Sequence, residues 1–499
     1  MTTRPHYDIL IVGGGTAGCV LAARLSEDRQ RTVCLVEAGP DYGSFDDGGW
    51  PGDLLDPREP SSSHDWDPSA AMSLSRARVI GGCSAHNAAF VVWGDRRDYD
   101  QWPGPGWGFD SIEPCLRRAE RTIKTRPLSR DELGPWARAV REAAPEVGIP
   151  ILENLNDLSR PQGTAFAPVN VRGSARWNTA FAYLDAARAR ENLTVIGDAL
   201  VDRVLLDGPR ARGAVALVGD DPVELGADLV IVSAGVFGSP AVLMRSGIGP
   251  SDHLAELGIT TALDLRGVGA TLRDHCGISV VFRPSLELER ALGRQHAERR
   301  MIGNGTIVRA ASRACPNGTW DLHLVSWAAP DTGAVTGGEW RVQLSPFVMK
   351  PASTGRVRLR SPDPRDPLDI EVGFLSNSEE ADLAAVVDGV ELVRRFAATE
   401  TLGSLLVAEA RPGPEAATRD RLGTYVRDNV RGYFHGVGTC KMGPREDPGA
   451  VVDTTGAVHG LARLHVCDAS ILPTIPRANT NLTTIAVADR IAELLDRRP

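Results

Sequence analysis

The sequence predicts an α/β protein of two textures: a discontinuous, doubly wound domain made by both ends of the chain, and an inserted α+β domain built on an antiparallel sheet. Three observations predict it. Tyr7–Val12, a helical stretch from Thr16 to Glu27 and Thr32–Val36 form a strand–helix–strand unit of roughly thirty residues, the size of a parallel crossover. From Ile278 to Leu359 the pattern changes to period-two alternation, as in half-buried antiparallel strands. The tail then returns to the first texture, with an apolar strand at Leu464–Cys467 and a helix after Asn479. The expected boundaries are 1–275 for the first part of the doubly wound domain, 276–435 for the insertion and 436–499 for the return.

The remaining elements follow in order. Residues 39–75 lack periodicity and exceed an ordinary loop, so they are expected to drape over a ligand or serve function directly. Asp110 with Glu113 predicts a capping box opening a helix to about Thr122, and further helices are expected at 130–144 and 179–189. Leu229–Ser233 reads as a second buried strand, turning at Ala234 and Gly235. In the insertion, Asp321–Trp327, Arg341–Phe347 and Arg356–Leu359 are the expected strands. Ser378–Ala397 is an amphipathic helix with Leu383, Val386, Val387, Val390 and Val393 on one stripe.

Composition narrows the function. The 499 residues are 42% apolar and 24% charged, enough to bury a sizeable core. Glycine and proline, 52 and 34 residues, fall short of a low-complexity chain, which excludes a fibrous or disordered protein. A net charge of −9 argues against nucleic acid or an anionic membrane surface as partner. No stretch reaches the roughly 18 apolar residues of a transmembrane segment; Leu229–Met244 is broken by Gly235, Gly238 and Pro240. Eight scattered cysteines without a CxxC pair, and no secretory leader, predict reduced thiols, no metal and a cytoplasmic location.

Gly13-Gly14-Gly15-Thr16-Ala17-Gly18 fits G-x-G-x-x-G between the first strand and helix. Gly13 allows the tight turn, Gly15 lets the backbone approach a pyrophosphate, and Gly18 lets helix and strand pack closely. Thr16 and Ala17 open the helix, whose free N–H groups suit phosphates. Glu37, 19 residues past Gly18 at the end of the second strand, is placed for the adenosine ribose hydroxyls. The set predicts a Rossmann-like dinucleotide site and does not separate FAD from NAD.

Further motifs do separate them. Arg78-Val79-Ile80-Gly81-Gly82-Cys83-Ser84-Ala85-His86-Asn87, then Ser239-Pro240 with Ser246-Gly247-Ile248-Gly249, and Phe434-His435-Gly436-Val437-Gly438-Thr439 closely resemble the glucose–methanol–choline (GMC) oxidoreductases. So do Asp468-Ala469-Ser470 and Ala478-Asn479-Thr480-Asn481, in the family's order over nearly the whole chain. The resemblance implies FAD as cofactor, a substrate domain over the isoalloxazine, and oxidation of an alcohol with oxygen or another electron acceptor. It implies His435 as the base, a role for which neutral imidazole is suited near pH 7. Asn479 would hold the same oxygen while hydride passes to flavin N5. It also implies Gly81, Gly82, Ser84 and Asn87 around the flavin, Asp468 and Ala469 at the ribityl or pyrophosphate, and the Val201–Val204 strand near the adenine. His86 stands where the choline oxidases of the family bond a histidine to the flavin 8α carbon, which implies covalent 8α-histidyl FAD; the alternative is a histidine that only packs on the ring. Val236, larger than is usual in the family, implies local repacking.

Period two puts His323, Val325 and Trp327 on one strand face, pointing either into the pocket or into ordinary core. With Phe347, Tyr433 and Phe434 they are the candidate substrate contacts. Glycine at 277 occupies the position of the choline-binding carboxylate in choline oxidases, and the tail is also similar to hydroxymethylfurfural-type oxidases. The resemblance therefore implies a neutral primary alcohol. A sugar or polyol tailoring dehydrogenase, a hydroxynitrile-type lyase with non-redox FAD, and a noncatalytic flavoprotein stand as alternatives.

Overall fold

In the computed structural model, residues 5–58, 60–61, 63–67, 74–298, 305–331 and 333–496 are described. His6–Val12 and Val33–Val36 run parallel around the helix Thr16–Leu25, with Leu193–Ile196 beside the second strand. Asp221–Val232 lies parallel on the other side of His6–Val12, and the tail strand Leu464–Val466 pairs with it. An antiparallel meander, Ala199–Asp207 and Arg210–Val218, completes this seven-stranded sheet. The strands carry continuous apolar runs because both sheet faces are covered, as a parallel sheet requires.

The C-terminal helix Thr480–Asp496 packs on Thr16–Leu25 and Phe109–Thr122. Its buried Asp489 carboxylate receives Arg24 at 3.1 Å and Arg118 from those two helices. The chain's two ends are thus tied through one ion cluster.

The second sheet is antiparallel, in the order Leu406–Arg411, Val280–Pro284, Trp340–Val348, Leu322–Pro330, Thr306–Ala310 and Gly163–Phe166. Cys276–Gly277 lies between Trp340–Val348 and Arg431–Gly432. Helix Ala381–Ala397 covers one face, burying Leu383, Val386, Val387, Val390 and Val393 as its stripe predicts. The sheet also takes in Gly163–Phe166 and the helix Pro135–Ala143, so the segment before residue 276 contributes to both layers.

Three local expectations are corrected. The helix at Phe109 has Gly108 as N-cap and no capping box: Asp100 from the preceding helix accepts the Phe109 N–H at 2.8 Å, while Glu113 turns to Arg117. The strand Arg356–Arg358 does not join the large sheet; it pairs with Asp369–Glu371 in a separate ribbon. The predicted helix at 179–189 is a π turn, Ala180–Leu184, running into one short α turn, Asp185–Ala187. Among the described residues no helix is long and apolar enough to cross a membrane. All eight cysteines are free.

Candidate active site

A cavity of about 1090 Å³ runs from the glycine turn of the first domain to the antiparallel sheet of the second. At one end Gly13, Gly15, Thr16 and Ala17 form its wall. Gly13 has φ +101°, and a Cβ there would stand 2.5 Å from Ser233 O. A Cβ on Gly18 would lie 1.9 Å from Gly13 O, so Gly18 serves packing and does not line the cavity. Glu37 lines it with both oxygens engaged: Oε2 accepts Gly14 N–H at 2.8 Å and Oε1 accepts Gly39 N–H at 2.9 Å. Burial pushes this carboxyl up to about 7, against those donors.

A second glycine turn faces the first. Gly81, at φ +90°, donates its N–H to Gly14 O at 2.8 Å, and a Cβ on Gly82 would stand 2.7 Å from Gly15 Cα. Gly82, His86 and Asn87 line the cavity; Gly81 and Ser84 do not. The Ser84 hydroxyl is turned inward, donating to Gly81 O at 2.6 Å and pairing with Thr179 Oγ1. His86 is buried, burial pushes its imidazole down to about 4, and its Nδ1 has no hydrogen-bond partner among the described residues. The loop over 39–75 supplies Pro60, Ser61, Trp66 and Asp67 to the same wall.

Val201, Asp468 and Ala469 also line the cavity, whereas Val204 gives its N–H to Ser246 Oγ at 2.8 Å outside it. Asp468 opens a short turn: Oδ1 accepts Ser470 N–H at 2.7 Å and Oδ2 accepts Gly235 N–H at 2.8 Å. Val236 finds its room opposite Gly436, where an added Cβ would come within 3.2 Å of it.

At the other end stand His435 and Asn479. His435 Nδ1 lies 2.9 Å from His275 Nδ1, and its Nε2 lies 3.0 Å from Asn479 Nδ2. His275 Nε2 sits 3.0 Å from the Pro476 carbonyl, which can only accept. Burial and the neighbouring imidazoles hold His275 neutral, and burial pushes His435 down to about 3. The proton positions follow. His275 carries hydrogen on Nε2 and presents a bare Nδ1; His435 donates from Nδ1; His435 Nε2 is left as a lone pair, met by the Asn479 amide N–H. Asn479 Oδ1 remains buried without a partner.

The backbone of His435 is held by the neighbour of His275. Asp274 Oδ1 accepts the His435 N–H at 2.8 Å, and its carboxyl also meets the N–H groups of Tyr433 and Phe434. Phe434 adopts φ +65° to make this cradle, a left-handed conformation that leaves its ring exposed at the cavity mouth. Burial pushes Asp274 up to about 7. Asp274, His275 and His435 bring candidate metal-ligating atoms within 4.8 Å of one another, but each is committed to a protein partner.

Val325 and Trp327 line the cavity; His323 does not. It is fully buried at the inner end of the strand, opposite Phe347, which takes the lining position. Among the described residues neither of its ring nitrogens has a hydrogen-bond partner. Phe347 stacks on Tyr433 at 4.1 Å and 9°, and Tyr433 contacts His435 at 4.2 Å. Sequence reasoning missed the roles of Asp274 and His275; the one local signal was an acid–histidine pair directly before an apolar strand.

Family models described as GMC oxidoreductase match residues 7–277 and 351–488. The oxygen-dependent choline dehydrogenase of Pseudomonas putida is 33% identical over 99% of this chain and 94% of its own length. The pyridoxine 4-oxidase structure from Mesorbium loti superposes with a TM-score of 0.85 at 28% identity, covering 99% of this chain and 100% of that one. A fungal aryl-alcohol oxidase shares the fold, with a TM-score of 0.78 at 22% identity and 99% coverage of both chains.

Proposed function

The chain belongs to the GMC oxidoreductase family, and on that premise we propose that it oxidises a primary alcohol to the aldehyde with FAD, using His435 as base and Asn479 as its partner. The observation that carries this reading is the hydrogen-free Nε2 of His435, its tautomer fixed by His275 and its lone pair met by the Asn479 amide, with His435 and Asn479 both lining a cavity shared with the glycine turn.

The residues present fit FAD. Two opposed glycine turns leave backbone where side chains would block a pyrophosphate, and the Glu37 carboxylate stands beside them for a ribose. His86 adds a neutral imidazole with an unpartnered Nδ1, which suits covalent attachment. FAD, when bound, supplies a two-electron acceptor for the hydride leaving the carbinol carbon.

The protein's part is proton and position. A carbinol hydroxyl takes the place of the Asn479 N–H at His435 Nε2 and donates to it, and the imidazole takes the proton as the C–H bond breaks; an alkoxide expels hydride far more readily than an alcohol. The Asn479 amide holds the oxygen and so fixes which hydrogen faces the cofactor. Tyr433 and Phe347 cover the imidazole and exclude water. Choline fits less well: a Cβ at Gly277 would lie 2.0 Å from Pro346 O, so no side chain there can supply an ammonium-binding carboxylate.

An alcohol panel tests the reading, with peroxide formation in air and dye reduction read in parallel. Turnover of primary alcohols supports it and identifies the acceptor. Persistent flavin colour with every alcohol under anaerobic conditions contradicts it.

A further inference from the structure

The substrate half of the cavity carries an excess of positive charge. Arg341, Arg411 and Arg431 line it from the antiparallel sheet. Among the described cavity residues of that sheet and its connections there are two carboxylates, Asp274, committed to the His435 turn, and Asp366, which accepts from the Ser361 hydroxyl. Among the described residues none of the three arginines makes a side-chain hydrogen bond or ion pair, and Arg411 is exposed at the rim.

Arg431 is the deepest of them. Its Cζ lies 5.1 Å from the centre of the Phe347 ring, and its Nε is buried with no partner. The register explains the placement. Phe347, Gly277 and Arg431 are directly opposite one another on three neighbouring strands, so their side-chain positions share a face. A Cβ at 277 would stand 2.7 Å from Phe347 Cδ1, so the middle position is empty and the arginine reaches across to the ring. Phe347 in turn stacks on Tyr433, which touches His435. A cation with free donors thus stands two aromatic rings from the catalytic imidazole. Burying an unpaired guanidinium is costly, and a ligand oxyanion would remove that cost.

Resting on the alcohol-oxidase reading, we infer that Arg431 anchors a carboxylate on the substrate, which makes the preferred substrates ω-hydroxy carboxylates. The planar guanidinium fork matches a carboxylate in two parallel hydrogen bonds. Arg341 and Arg411 lie further out and draw anions toward the mouth.

The test compares kcat/KM for ω-hydroxy carboxylates of increasing chain length, the matching n-alkanols, and choline, in holoenzyme and in Arg431→Gln. The wild type is expected to favour the best carboxylate over its alkanol by about tenfold or more, with choline poorest. In Arg431→Gln that ratio collapses toward one, and Arg431→Lys keeps part of it. A wild-type preference for choline, or an unchanged ratio in Arg431→Gln, overturns the assignment. Binding of hexanoate to the wild-type holoenzyme, followed by perturbation of the flavin spectrum against hexyltrimethylammonium, needs no turnover and no folded variant. Hexanoate binding without oxidation of any alcohol would sink the oxidase reading and leave the anchor standing; absence of hexanoate binding would sink the anchor alone.

Discussion

His275 and His435, 160 residues apart in sequence, face each other through their Nδ1 atoms at 2.9 Å. Because the Pro476 carbonyl fixes the hydrogen of His275 on Nε2, this contact leaves the hydrogen of His435 on Nδ1 and its Nε2 as the nitrogen able to take a proton. Asp274, next in sequence, holds the backbone of the same residue. One dipeptide therefore positions the ring and main chain of His435 together.

His275→Phe removes the acceptor and frees His435 to protonate Nε2 instead. The expected result is a fall in kcat of about 100-fold with a small change in KM. His275→Asn keeps an amide oxygen for the Nδ1–H and is expected to retain more activity than the phenylalanine variant. Steady-state kinetics of the two variants check this, since a merely structural loss would not be rescued by the amide.

Burial places the Asp274 carboxyl in the neutral pH range. With its carboxyl pushed up to about 7, acid below that pH adds a proton and weakens acceptance of the His435 N–H. The expected kcat/KM therefore falls as pH drops through about 7, although His435 itself stays neutral down to about 3. Asp274→Asn is expected to flatten that limb, as pH–rate profiles of both proteins will show.

Acid stability follows from the buried imidazoles. His86, His323 and His435 are pushed down to about 4, 3 and 3, whereas unfolded histidine titrates near about 6.5. Between those values the unfolded chain binds more protons at these positions, so the part of the stability that these three imidazoles contribute is full above about 6.5 and is lost as pH falls toward about 3. His323→Leu removes one of these groups along with two unpartnered ring nitrogens. Thermal melts across this range are expected to show a shallower loss in the variant, and KM is expected to be unchanged because the side chain lies outside the cavity.

The flavin is expected to stay with the protein on acid precipitation, giving a yellow pellet that becomes colourless in His86→Ala. Colour released into the supernatant of the wild type would refute covalent attachment through His86.

Much of this site was legible because its signals are local. Gly13 to Gly18 lie on one turn between a strand and a helix, and His435 and Asn479 each sit inside a short distinctive motif. What escaped is the pairing across distance: nothing near His275 announces a partner at 435. Period-two spacing gave the shared face of His323, Val325 and Trp327 but not their depth, which is set by Phe347 on the neighbouring strand. The capping box at Asp110 failed for the same reason, since Asp100 of another helix supplies the cap. Likewise the reach of Arg431 to the Phe347 ring depends on a missing Cβ at Gly277, visible only once three strands are in register.

The central claim concerns the lone pair on His435, and anaerobic single-turnover reduction of the bound flavin by a primary alcohol tests it most directly. With FAD content measured on the same samples, His435→Ala is expected to slow reduction by about 100- to 10,000-fold. Reduction of that variant at the wild-type rate would contradict the account.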